Sequence, residues 1–289
     1  MNIENVENYK SVKHTKMVSN IILITLLGLG AIVVIIPFIW MVMISFDWEA
    51  VTSVPYPPRF IPLSPTFKTY QIAFINVPMA RYIVNTIIIT VGVILFSCSS
   101  ALLAAYALSK IRFKGSKFVL IFSLSLLMIP FEASMVSRYL MFSNMSLLNS
   151  YWAFFLPSIA HPFGTFMAKQ YMDALPMSMR EAAKIDGAKE HIIFYRIYVP
   201  LCGPIIATMV ILQFLDTWNT LVWPLLVLSD PAKYTIQIGM AMFTMNKGAS
   251  SMPAIQMAVT TISILPVLIV YLFLQKYIIE SIAMTGLKQ

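Results

Sequence analysis

Side chains suited to chemistry concentrate in two places along the chain. The first reads Ser178-Met179-Arg180-Glu181-Ala182-Ala183-Lys184-Ile185-Asp186-Gly187-Ala188, with Pro176 before it and Pro200 after it. Ser178 followed three residues later by Glu181 has the spacing of a capping box, in which the two side chains satisfy backbone N–H groups at a helix start. Ala182, Ala183 and Lys184 favour helix, and Gly187 suits the left-handed residue that ends one. The spacing predicts a short charged helix, a sharp turn at Asp186-Gly187 and a second helix toward Pro200. The paired alanines leave a low surface that the backbone of another protein can approach closely.

The second place holds Asp216, Trp218 and Asn219 within an apolar run. Sugars are bound by polar groups that match their hydroxyls and by aromatic faces, and this trio offers both. An ionisable residue inside apolar sequence is a functional candidate. The same residue types also make hydrogen bonds that hold helices together in lipid. Either use fits. Glu132, the other acidic residue in such a run, is expected near a span end and facing water.

Enzymatic readings fail for want of parts. No glycine-rich loop followed by Lys-Ser or Lys-Thr occurs, and neither does a nucleophile elbow or a clustered set of His and carboxylates. His14, His161 and His191 share no metal-ligand spacing. Cys98 and Cys202 fall in or beside apolar runs and read as small buried thiols. No cofactor and no metal is expected.

Composition says what must position these residues. Of 289 residues, 59% are hydrophobic and 11% charged, with mean hydropathy +0.80. Soluble domains average about 25% charged residues, so lipid has to be this chain's solvent. The net charge of +8 does not indicate nucleic acid, because the basic residues sit in short clusters between apolar runs.

Six apolar stretches are long enough to cross a bilayer: Ile21 to Ile44, Tyr82 to Leu108, Phe118 to Met141, Trp152 to Tyr171, Leu201 to Leu228 and Pro253 to Tyr277. Pro130, Pro157 and Pro162 interrupt two of them, which spans tolerate where neighbours re-satisfy the freed carbonyls. The first stretch is too long for a signal-peptide core and reads as a retained span. Alternate loops carry 14 of the 20 basic residues, which predicts that this set of loops, and both termini, face the cytoplasm. The expected organisation is a cytoplasmic segment 1–20, a first span 21–46, an extended proline-rich outer segment 47–80, a core 81–280 containing the charged loop 174–200, and a cytoplasmic tail 281–289. Trp40, Trp48, Trp152 and Trp223 fall toward span ends, as in an aromatic interface belt.

Here the chain resembles a known family. Glu181-Ala182-Ala183, then Gly187, then Pro200 is similar to the EAA motif of ABC importer permeases. The run with Asp186-Gly187-Ala188 resembles the carbohydrate, MalG-like branch. Ala104-Ala105-Tyr106-Ala107, Phe113-Lys114-Gly115, Met128-Ile129-Pro130, Trp218-Asn219 with Pro224, and Gln275-Lys276-Tyr277 extend the likeness over Asn85 to Lys288. The tail Ser281 to Lys288 follows the family's closing pattern but ends in Gln289 where glycine is common.

The resemblance implies an all-α polytopic membrane protein with six spans, the last five forming a MetI-like core. It implies a non-catalytic subunit of a carbohydrate importer in the bacterial cytoplasmic membrane, paired with a second homologous permease. Two ATPase subunits bind the ATP and magnesium, and an extracytoplasmic sugar-binding protein delivers the substrate. Glu181, Ala182, Ala183, Lys184, Asp186 and Gly187 become the ATPase-coupling residues, and Asp216, Trp218 and Asn219 the substrate-path candidates. Glu181 then either meets a basic residue of the ATPase or only caps its own helix. The competing classes are a secondary transporter driven by an ion gradient and a membrane-embedded enzyme or assembly factor. Neither internal repeats nor clear buried ion-site charges favour the first.

Overall fold

The structure, a computed structural model, describes residues 3–245 and 252–286. No strand forms among them. The helices are α1 (Ile3–Ser45), α2 (Lys68–Asn76), α3 (Met79–Tyr106), α4 (Ser116–Ser125), α5 (Phe131–Asn144), α6 (Trp152–Ser158) and α7 (Pro162–Ala174). There follow α8 (Ser178–Ile185), α9 (Glu190–Ile193), α10 (Val199–Leu201), α11 (Gly203–Asn219), α12 (Val222–Val227), α13 (Ile236–Met245) and α14 (Pro253–Gly286). The tail expected over 281–289 continues α14 as far as Gly286, and Leu287, Lys288 and Gln289 lie outside the described residues.

Two compact units form: Met1–Ile75 with Thr244–Thr261, and Asn76–Phe243 with Ile262–Gln289. In the first, the segment after α1 is gathered around Asp47, whose side chain is fully buried. Arg59 donates to its Oδ2 from Nη2 at 3.0 Å and from Nε at 3.2 Å. The backbone N–H of Glu49 reaches Oδ1 at 3.2 Å. A buried carboxylate is stable only with such donors, and these fold the segment back on itself. The segment 47–80 is therefore not simply extended. Its prolines are dense only up to Pro65, which leaves Lys68–Asn76 free to become α2. Thr69 then donates to the Ser45 carbonyl at 2.6 Å, and the rings of Phe46, Phe67 and Tyr70 cluster.

In the second unit α3 is central, packing against α6, α7 and α11. Small residues allow the approach: a Cβ on Gly92 would stand 2.2 Å from the Phe155 ring of α6. Ala101 and Ala105 are buried in the same helix.

The spans are less continuous than the sequence suggests. Among the described residues, three helical stretches are long and apolar enough to cross a membrane, Ser19–Ser45, Met79–Ile111 and Pro253–Phe273, and counting each of two bent pairs as one span makes five. The expected third stretch bends by 100° between Met128 and Phe131. Ile129 is extended, as a residue before proline prefers, and Pro130 has no N–H to continue the ladder. The expected fourth is two short helices, because Pro162 starts α7 afresh after Ser158. The expected fifth ends at Asn219, since Pro224 cannot bond the Thr220 carbonyl, and α12 starts separately. Before it, Glu190–Leu201 meets Gly203–Asn219 at 77°. A count of six holds only if α6 and α7 together are read as one more crossing.

Gly92→Val should force the Phe155 ring away from α3 and destabilise the protein by about 1–3 kcal/mol, as overpacking does. Thermal unfolding in detergent measures this, and an unchanged melting temperature would show that the α3–α6 contact has slack.

Candidate functional site

The charged loop forms the helix that its residues dictate. α8 runs Ser178–Ile185, and Gly187 takes φ +80°. The N–H of Ala188 donates to the Ala183 carbonyl at 2.9 Å and that of Gly187 to Lys184 at 3.0 Å, the paired bonds of a Schellman turn. The start differs from the capping box. Met177 occupies the N-cap position and Ser178 is already helical, so no side chain caps α8. Glu181 is exposed and makes no capping bond, which leaves its carboxylate turned to solvent.

The coupling candidates divide by face. Glu181, Ala182, Lys184, Asp186 and Gly187 are exposed, whereas Ala183 is buried. Ala183 joins a core of Ala105, Tyr106, Met172, Phe194 and Tyr198, so only one alanine of the pair contributes to the open surface. Next to that surface Ile185 is 87% exposed. Lys184 is not free either: its Nζ lies 2.8 Å from Glu190 Oε1.

Glu190 is a residue that sequence reasoning passed over. Its Oε2 accepts from the Tyr106 hydroxyl at 2.6 Å and from Arg180 Nε at 3.3 Å, while Oε1 accepts from Arg180 Nη2. The Glu190 hydrogen bond holds the Arg180 guanidinium above its ordinary pKa. A signal was present, because Arg180 and Lys184 are four apart and share one helix face, where a single carboxylate can meet both. The loop entrance is fixed separately. Buried Lys110, in the π-helical turn Ala107–Ile111 that continues α3, donates to the Leu175 carbonyl at 2.7 Å and lies over the Tyr198 ring. Ser109 beside it donates to Asp173 at 2.6 Å.

The second constellation comes apart. Trp218 is 1% exposed, stacks on Phe214 and donates its indole N–H to the Ser263 carbonyl of α14 at 3.1 Å. Its face is closed to a sugar, and its bond is the helix-to-helix kind. Asn219 donates to the Leu215 carbonyl of its own helix at 2.8 Å. Asp216 alone of the three lines a cavity of about 590 Å³, together with Arg138, His161, Gln213, Thr217 and Trp223. His161 Nδ1 is buried there without a hydrogen-bond partner among the described residues. Trp223, expected in an interface belt, is instead buried, with its N–H on the Ala153 carbonyl at 3.1 Å and its ring against Phe131 and Phe142. Arg138 and His161 escaped the sequence reading because they come from other helices and share no motif with Asp216. Glu132 is exposed.

This geometry, a buttressed charged helix beside broken spans, has counterparts. Residues 99–283 match the family described as binding-protein-dependent transport system inner membrane component. The chain belongs to this family. It is a multi-pass membrane permease subunit of the ABC importer class. The arabinooligosaccharides transport system permease protein AraQ of Halalkalibacterium halodurans is 36% identical over 204 residues, covering 71% of this chain and 72% of the relative. The trehalose/maltose transport system permease protein MalG of Thermococcus litoralis is 32% identical over 279 residues, covering 94% and 98%. A chain from the crystal structure of a bacterial ABC transporter that imports the acidic polysaccharide alginate superposes with a TM-score of 0.81 at 26% identity, covering 91% of this chain and 98% of that one.

Trp218→Phe keeps an aromatic ring against Phe214 but removes the N–H that reaches Ser263 and leaves a cavity where the rest of the buried indole stood. The permease should lose about 2–4 kcal/mol of stability, the lost hydrogen bond and the cavity together, with its substrate preference unchanged. Thermal unfolding and uptake assays on the same preparation check both halves.

Proposed function

We propose that this chain forms one half of the membrane channel of an ATP-driven oligosaccharide importer, with α8 as the helix on which a partner ATPase acts. The observation that carries this reading is the division of α8 into two faces. Ala183 anchors one side in the protein's own core, while Ile185, at 87% exposure, stands open beside Glu181, Ala182 and Gly187. A large aliphatic side chain left in water forgoes about 1.5–3 kcal/mol of burial, which a docked protein would recover. Glu181, exposed and with no side-chain partner among the described residues, is available to a basic residue of that protein.

The named relatives handle arabinooligosaccharides, trehalose or maltose, and alginate, whose common chemistry is a chain of hydroxyl-bearing rings. The cavity beside Asp216 suits part of such a path, with polar groups from Gln213 and Thr217 and aromatic rings from Phe131 and Trp223. In the full assembly this chain pairs with a second homologous permease. Two ATPase subunits hold ATP and magnesium, and an extracytoplasmic binding protein delivers the sugar. Both termini and α8 face the cytoplasm of a bacterial cell, as the loop charges favour. Closure of the ATPase dimer draws the docking helices together and turns the channel outward, a rigid-body switch.

The test is reconstitution of the complete importer with a labelled panel of arabino-, galacto- and malto-oligosaccharides. Glu181→Ala, or Gly187→Val at its left-handed φ, should lower uptake about tenfold and weaken ATPase retention, the loss of about 1.4 kcal/mol at the docking surface. Complexes of either variant that retain the ATPase and transport fully would refute the role given to α8. Asp216→Ala should weaken uptake by about tenfold with the ATPase still bound, as loss of one charged hydrogen bond to substrate predicts. Disassembly of the complex would instead make Asp216 structural.

A further inference from the structure

We propose that Glu190 is the positioning residue that passes movement of α8 into α3, an inference that rests on α8 being the docking helix. Two kinds of contact hold α8 to the body of its unit. Ala183 supplies an apolar one, and burial of a methyl group is non-directional, so it resists neither rotation nor sliding strongly. Glu190 supplies the directional one. Arg180 meets both oxygens of the carboxylate, with Nη2 on Oε1 and Nε on Oε2, and a two-point contact fixes angle as well as distance. Lys184, one turn further along α8, meets Oε1. A twist or translation of α8 therefore pulls on the carboxylate from two points along the helix.

The other side of Glu190 is tied to a span. Tyr106, the last residue of α3, donates its hydroxyl to Oε2 at 2.6 Å. Its ring is 4% exposed and is held between Phe194 and Tyr198, at 5.3 and 5.2 Å between centroids, so the hydroxyl has little freedom to follow Glu190 alone. α3 in turn packs on α6, α7 and α11, the last of which carries Asp216. Lys110 and Ser109 hold the segment before α8 rather than α8 itself. Among the described residues, Glu190 links α8 to α3 through contiguous polar bonds rather than through proximity.

The experiment compares wild type, Tyr106→Phe, Glu190→Gln and Gly187→Val in the complete importer in proteoliposomes, using the best-transported member of the oligosaccharide panel. It reads ATPase co-purification and ATP hydrolysed per oligosaccharide imported. Tyr106→Phe and Glu190→Gln should keep the ATPase bound and raise the ATP cost per import about fivefold or more, the lower end of typical coupling between sites. Tyr106→Phe is decisive, because it leaves the Arg180 and Lys184 contacts intact and cuts only the link to α3. A wild-type ratio in both variants overturns the proposal. Loss of the ATPase from both also overturns it, since Glu190 would then only shape the docking surface. Gly187→Val separates the premises: if it loses the ATPase while Tyr106→Phe stays fully coupled, the docking helix stands and the link falls. If Gly187→Val itself keeps ATPase and transport, the docking helix is the part that fails.

Discussion

In hydrocarbon a backbone N–H or C=O without a partner costs several kcal/mol, and this constraint governs the rest of the molecule. Unbroken helices such as α3 meet it automatically. Breaks are tolerable only where protein or a water-filled space takes the freed groups. The breaks at Pro130, before Pro162 and before Pro224 all lie in one unit, and α5, α6, α11 and α12 each contribute lining residues to the cavity that holds Asp216. Broken spans and cavity are one phenomenon.

The charged loop is held differently: its helix depends on local chemistry at its end and on a few strong polar ties. The Schellman turn at Gly187 closes α8, while Glu190, Lys110 and Ser109 fasten the loop to the end of α3. Ala183 is buried on one face of α8, while Ile185 stands open on the other.

How legible each part was depends on the range of the interactions. α8 could be read closely because alanine propensity, Pro176 and Gly187 act within a few residues. Its cap could not, since Met177 takes the position that Ser178 was expected to fill. The Tyr106–Glu190 bond joins residues 84 apart in sequence, and no local pattern announces it. Trp218 stands apart from Asp216 for a reason that simple geometry contains. Residues two apart on an α-helix point about 200° from one another, so Asp216 and Trp218 could not face the same ligand. Membrane sequence hides this, because spans are apolar on most faces and periodicity gives little warning. The segment 47–80 misled in the opposite sense: its prolines suggested extension, and one buried aspartate folded it.

The two π-helical turns, Ala107–Ile111 and Phe194–Tyr198, carry Lys110 and Tyr198, which meet across the core. A π turn holds one residue more than the α ladder needs, and such turns are frequent at functional sites. Removing that residue would restore regular winding and swing everything beyond it by about 100°. Tyr106 would then lose its alignment with the segment after it, and Lys110 would point into lipid or solvent. Chain length in these ten residues is thus fixed by phase.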